Sequence, residues 1–339
     1  MKKRLLVSCT ILFAFLLVSV NLSVTTSVAS AAPAPEIKAK VLKGVGSFRK
    51  DGTLGDSFDL FANKLKEKSK GALTLNWIGS SEAIPQADQP TAVKNGVIDF
   101  HFAAFSAYEK VLPVTIGAPL NQHTPMEDRK NGVYDFWTKA FEGFGVRYLG
   151  VSHSPGNYYF FLKKPIKNPK TDFKGMKLRT SNTYVAFIRA LGAVPVTVPT
   201  DETYSALQTG LVDGSGWVCD SFDGLKGYEV LKYWVDHPFY QATTTMLINL
   251  KTWNSLDKAA QAIFNQAAME TEAERWAALR AQDAVYFKEF KTKGMSPITF
   301  TAEDAKWYLQ TGRDAKWAEA KGKVSDQDYA TMQKLFTKP

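Results

Sequence analysis

Two hydrophobic periods alternate along the chain, and their order sets out an architecture. Residues 40–45 read as a strand. Leu54, Phe58, Phe61 and Leu65 then fall at the spacing of one helix face. That helix stops near Ser69 and Lys70, where Gly71 suits a C-terminal cap. Residues 73–78 return to strand, 89–95 form a short helix stopped by Gly96, and 97–102 form another strand. The order is β-α-β-α-β.

The same order returns between residues 176 and 213. Residues 176–180 read as a strand, and 182–191 as a helix with Asn182 as N-cap and Gly192 as its stop. A strand at 194–198, a helix at 201–208 closed by Gly210, and a strand starting at 211–213 complete the unit. Residues 91–99 and 205–213 even share an ending: a helix, a glycine, two apolar residues and an aspartate. Repeated strand–helix alternation predicts an α/β protein of two similar lobes.

The last third changes character. Residues 255–291 are a long helical stretch, with Leu256, Ile263, Ala267, Trp276, Leu279 and Phe290 among its apolar positions. It is longer than one lobe, so it either crosses both or breaks midway. A short strand at 297–300 follows, and Thr301 with Asp304 and Ser325 with Asp328 resemble capping boxes opening two terminal helices. The expected division is a leader at 1–31, a first lobe at 32–155, a second at 156–243, and a crossover strand, long helix and terminal helices at 244–339.

The leader changes where the chain is expected to work. Lys2, Lys3 and Arg4 precede a nearly unbroken apolar run at 5–20, and Ala29-Ser30-Ala31 fits a signal-peptidase site. Cleavage after Ala31 predicts an exported, periplasmic protein. Of the two cysteines only Cys219 would survive, so the core and not a disulfide must hold the fold. The formal net charge is +9, three units of which lie in the leader. Lys64, Lys66, Lys68 and Lys70 read as a solvated helix face, so nucleic acid is not an expected partner. His101, His123, His153 and His237 lack metal-ligand spacing, and no nucleophile elbow or phosphate loop occurs. A binding protein without cofactor or metal, most simply a monomer, is expected rather than an enzyme.

One cation stands out. Arg179 lies where a strand meets a helix, the place where open α/β sheets bind ligands. A guanidinium there can grip a carboxylate through two parallel hydrogen bonds. Trp217, beside Gly216 at a later strand end, is a second candidate for the cleft. In the strand-like residues 156–162 alternate side chains must face opposite sides, and Tyr158 is the expected cleft residue. From the other lobe, Ser47, Phe48 and Arg49 follow the first strand and Phe105 follows the third. Arg49 would be a second cation.

Residues 174–217, with K-G-x-K-x-R, A-L-G-A-x-P-V, Y-x-A-L-Q-x-G and V-D-G elements, resemble the solute-binding subunits of TRAP transporters of the DctP type. Phe58, Phe61, residues 70–73, and Val93, Gly96, Ile98 and Asp99 agree, as does Trp253-Asn254-Ser255-Leu256 before the long helix. The resemblance implies a two-lobed binding protein that closes on a solute and delivers it to a membrane permease. It also implies that Arg179 pairs the ligand carboxylate, with Asn182 and Trp217 as further contacts. Two departures matter. Residues 156–162 lack the second arginine common in binders of dicarboxylates and sugar acids, and Gly216-Trp217 replaces a frequent Glu-Asn pair. One cation among aromatic faces favours a monocarboxylate with an apolar or aromatic body. A 2-oxo monocarboxylate, or a sensing role in which the closed form docks on a receptor, remains the alternative.

Overall fold

Two mixed sheets absorb the strand signals in the computed structural model, which describes residues 37–50, 57–199 and 202–338. The expected leader, the segment at 32–35, the helix start at Leu54 and Asp201 lie outside the described residues. The strands are β1 (Lys40–Gly46), β2 (Leu73–Gly79), β3 (Phe100–Ala104), β4 (Val146–Asn157), β5 (Tyr159–Leu162) and β6 (Lys177–Thr180). They continue with β7 (Val194–Thr197), β8 (Gly214–Trp217), β9 (Tyr233–Val235), β10 (Gln241–Asn249) and β11 (Ser296–Ile298). The first sheet runs β2-β1-β3-β10-β4 and the second β11-β9-β5-β8-β6-β7.

Each sheet contains a parallel trio built alike. In β2-β1-β3 and in β7-β6-β8 the first strand of the unit lies between its second and third. The shared sequence ending has a structural cause. Gly96 and Gly210 both adopt left-handed backbone, at φ 76° and 78°, which turns each helix into its third strand. The aspartates that follow make matching bonds: the backbone N–H of Lys43 donates to Asp99 Oδ2 at 2.9 Å, and that of Lys177 to Asp213 Oδ2 at 2.9 Å. In return the Asp99 and Asp213 backbone N–H groups donate to the Lys43 and Lys177 carbonyls. These ties delay the third strands. They begin at Phe100 and Gly214, not at Val97 and Leu211, which sit exposed in the turns.

Both faces of each sheet are covered. Phe58, Phe61 and Leu65 of helix Ser57–Lys68 meet Phe264 of helix Lys258–Arg280 on one face of the first sheet. Trp137 and Phe141 of helix Val133–Phe144 pack on the other, with Met332 and Phe336. In the second sheet Phe160, Phe187 and Tyr308 lie on one side, and Phe161, Phe222 and Phe290 on the other. Each such ring, fully buried, contributes about 1.5–3 kcal/mol.

The chain crosses between the sheets where β4 ends at Asn157 and β5 begins at Tyr159, and again between Val235 and Gln241. The expected long helix is present as Lys258–Arg280 and Gln282–Thr292, interrupted at Ala281. Carboxylates fasten it on both sides of that break, Glu272 buried and Asp283 half-buried. Glu272 pairs with Arg129 at 2.5 Å and accepts from the Val151 backbone N–H at 2.8 Å. Asp283 accepts from Asn157 at 3.1 Å, from the Tyr159 hydroxyl at 2.9 Å, and from the Cys219 thiol.

The terminal caps form, with a difference. Thr301 and Ser325 accept from the Asp304 and Asp328 backbone N–H groups at 3.2 and 3.1 Å. The aspartate side chains turn to the cap hydroxyls. One methylene shorter than glutamate, they do not close the box. A full box occurs at Thr124 and Glu127.

Candidate functional site

β6 carries Arg179 between Val196 of β7 and Ser215 of β8. Side chains alternate along a strand, so Trp217, two residues beyond Ser215, shares the face of Arg179. The guanidinium carbon lies 3.9 Å from the centre of the Trp217 ring. Arg179 Nε donates to the Val198 carbonyl at 3.2 Å, and Nη1 to the Tyr184 hydroxyl at 3.3 Å. Tyr184 in turn donates to the Gly216 carbonyl at 2.5 Å. A Cβ on Gly216 would stand 2.5 Å from the Tyr184 ring, so only glycine admits that ring here.

Arg179 is 6% exposed, and among the described residues no carboxylate lies within ion-pair distance of it. A buried guanidinium with two edges committed to neutral acceptors retains N–H donors for an anion. Tyr158 closes the aromatic side of the site, 5.1 Å from Tyr184 and 6.0 Å from Phe239 by ring centres. Burial, and next the neighbouring Tyr184, hold its phenol above the ordinary range, so it stays protonated as a donor. The Ser181 hydroxyl, just past the end of β6, is buried without a hydrogen-bond partner.

Asn182 is exposed and opens a short 3-10 turn, Asn182–Tyr184, ahead of helix Val185–Ala190. The expected N-cap at Asn182 is therefore corrected: Ser181, still in extended backbone, takes the cap position. The first-sheet candidates fare differently. Ser47 is turned inward, 3.2 Å from Gln89 Oε1 and 3.4 Å from His101 Nε2. His101 also meets Gln89 at 2.9 Å and the Tyr108 hydroxyl at 2.8 Å, and its burial pushes the imidazole down to about 3. Phe105 is packed in the core, 4.8 Å from Trp137 by ring centres. Phe48 is half-buried. Arg49 is exposed and lines an open pocket of about 580 Å³ with Lys50, Asp59, Trp77, Ser80 and Glu82.

The structure thus brings Arg179, Trp217 and Tyr158 together and leaves Ser47 and Phe105 in the first sheet's interior. Sequence reasoning missed Tyr184, Ser181 and Trp77. An isolated glycine in a strand, Gly216, was the signal that a side chain approaches closely there. Among the described residues no group of three or more His, Cys, Asp or Glu could hold a metal ion. No described helix is long and apolar enough to cross a membrane.

Residues 47–320 match the family described as bacterial extracellular solute-binding protein, family 7, DctP. The sialic acid-binding periplasmic protein SiaP of Vibrio cholerae is 23% identical over 292 residues, covering 82% of this chain and 87% of that protein. A monocarboxylate 2-oxoacid-binding periplasmic protein of Nostoc is 24% identical over 219 residues, 62% of this chain and 60% of its own. The chain spans 48% and 40% of the length of the first two curated relatives it matches, both uncharacterized. A TRAP periplasmic solute-binding protein from Desulfovibrio salexigens, solved with bound orotic acid, shares the fold with a TM-score of 0.77. That pair is 22% identical, and the likeness covers 87% of this chain and 97% of the other.

Proposed function

The chain belongs to bacterial extracellular solute-binding protein family 7, whose members are extracytoplasmic receptors and not enzymes, and from that premise we propose that it captures a small monocarboxylate for a TRAP permease. Arg179 pairs with the carboxylate, the lobes close around the ligand, and the loaded protein, a monomer, delivers it to the membrane subunits. The observation that carries this reading is the buried guanidinium of Arg179, without a carboxylate partner among the described residues. Enclosing an organic anion there supplies the missing charge.

The surroundings favour an apolar or aromatic body. Tyr158, backed by Phe239, offers ring surface, and residues 156–162 bring no second cation. A second carboxylate enclosed there would be buried unpaired, at a cost of several kcal/mol. The orotic acid and 2-oxoacid named for the Desulfovibrio and Nostoc proteins are compatible chemistries. The unpartnered Ser181 hydroxyl favours a second reading within the same class, a 2-oxo acid whose keto oxygen accepts from it.

Mass spectrometry of the ligand released from purified protein, followed by calorimetry of benzoate, a branched 2-oxo acid and succinate, tests the proposal. An organic monocarboxylate is expected to bind tightest. Preference for succinate or a sugar acid would mean that Arg49 or another cation reaches the ligand, and would sink the monocarboxylate assignment.

A further inference from the structure

We infer that Trp217 and Tyr184 are positioning residues for Arg179, and that the Trp217 ring serves the cation and not the body of the ligand. The inference rests on Arg179 being the carboxylate anchor. The guanidinium carbon lies over the Trp217 ring, 3.9 Å from its centre, so the ring is engaged by the cation. The planar group is thereby fixed from three directions: its Nε edge by the Val198 carbonyl, its Nη1 edge by Tyr184, and its face by Trp217.

Tyr184 is itself oriented. Its proton goes to the Gly216 carbonyl, so a hydroxyl lone pair is left to accept from Arg179. Both devices come from two adjacent residues of β8. Gly216 supplies the carbonyl and the space that a Cβ would fill, and Trp217 supplies the ring. Motion about the Nε–Cζ bond is blocked and the plane cannot tilt away from the indole. Three N–H donors remain, one on Nη1 and both on Nη2, held in fixed directions before any ligand arrives. Ordering a long side chain opposes binding, and here that ordering is already complete.

If Trp217 instead stacked on the ligand, its removal would harm aromatic acids selectively. A ring that acts through Arg179 must affect every carboxylate alike. The test uses nitrogen-15-labelled full-length protein to follow rotation about the Arg179 Nε–Cζ bond, alongside calorimetry with benzoate and pyruvate. Slow rotation is expected in the wild type and in Trp217→Phe, and fast rotation in Trp217→Leu. Benzoate and pyruvate should weaken by the same factor in Trp217→Leu, roughly 2- to 30-fold, with most of the loss restored in Trp217→Phe. In an Arg179→Lys background the Trp217→Leu change should add little, because residues that act through one another are not additive. Tyr184→Phe should free the Nη groups in the same way, so the inference stands or falls even if Trp217→Leu does not fold. Rotation that stays slow in Trp217→Leu, or a loss confined to benzoate, overturns it. Failure of the anchor reading looks different: Arg179→Ala would bind as the wild type does, or the wild type would bind neither acid, while the rotation measurement still decides the role of Trp217.

Discussion

Asp99 and Asp213 tie the third strand of each parallel trio to the first by the same pair of bonds, and the common frame sets the two halves side by side. Val45 pairs with His101 as Arg179 pairs with Ser215. Val45 therefore occupies the place of Arg179, Ala103 that of Trp217, and Ser47 that of Ser181. In the first sheet these places hold two small core residues and a polar network closed on itself. Ser47, Gln89, His101 and Tyr108 satisfy one another, and Gln89 Nε2 also donates to the Gly46 and Ile84 carbonyls. In the second sheet the same places hold a cation without a carboxylate and a hydroxyl without a partner among the described residues. One backbone pattern thus serves two ends. Polar groups that are all paired fix a shape, and groups with unused bonding capacity in a low dielectric can take up a ligand.

The strongest way to break the comparison is to write the first sheet's residue into the second. Arg179→Val should abolish carboxylate binding, a loss on the order of 3–5 kcal/mol, yet leave the unliganded protein as stable as before or more so. Calorimetry with thermal unfolding reads both halves. Retained binding would show that the frame, and not the cation, holds the acid.

Acid should sort the two halves next. Burial lowers the His101 pKa to about 3, against roughly 6.5 for the unfolded chain. Below 6.5 the unfolded state takes up a proton that the folded state refuses. Stability from this group is therefore complete above that pH and falls, by up to about 1.4 kcal/mol per unit, as the pH drops towards 3. Burial pushes Asp128 and Glu272 up to about 7, which gives the opposite slope over part of that range. The difference between wild type and His101→Gln isolates the histidine. Parallel stability curves for the two proteins between pH 6.5 and 4.5 would contradict a buried neutral imidazole.

Packing around Tyr184 sharpens the contrast further. Gly216→Ala places a methyl 2.5 Å from the Tyr184 ring, and overpacking of this kind costs roughly 1–3 kcal/mol. Chemical denaturation should show that loss together with weaker acid binding, since Tyr184 cannot keep its bond to Arg179. Unchanged affinity would separate Tyr184 from the anchor. The smallest effects should differ in sign. Ser47→Ala strands buried partners and should destabilise by about 1 kcal/mol, whereas Ser181→Ala removes an unpaired hydroxyl and should be neutral or slightly stabilising without ligand. Equal destabilisation by both substitutions would erase the distinction between the halves.

Legibility followed the same divide. The parallel trios were readable because a helical face, a glycine stop and a buried strand leave separate marks, and the shared ending at Asp99 and Asp213 carried the repeat itself. The segment Pro113–Leu120 leaves none: it is apolar but for Thr115, a 3-10 stretch packed near Met332 and Phe336, so no period distinguishes its faces. Arg179 could be singled out because charge at a strand end is rare enough to question. The same positional rule points to Ser47 and Phe105, but a strand end fixes where a residue lies and not which way its side chain turns. Tyr184 depends on a register between β6 and β8 that appears only when the sheet is assembled.

Glu272 and Asp283 have a mechanical consequence. They clamp one helical rod to the two sheets at points about 16 Å apart along its axis, with a notch at Ala281 between them. A rod held at two points and weakened between them bends at the weak point. Under the proposed closure of the lobes on a ligand, the stiffness of a single turn around Ala281 would enter directly into the work of closing, and through it into the speed of loading and discharge.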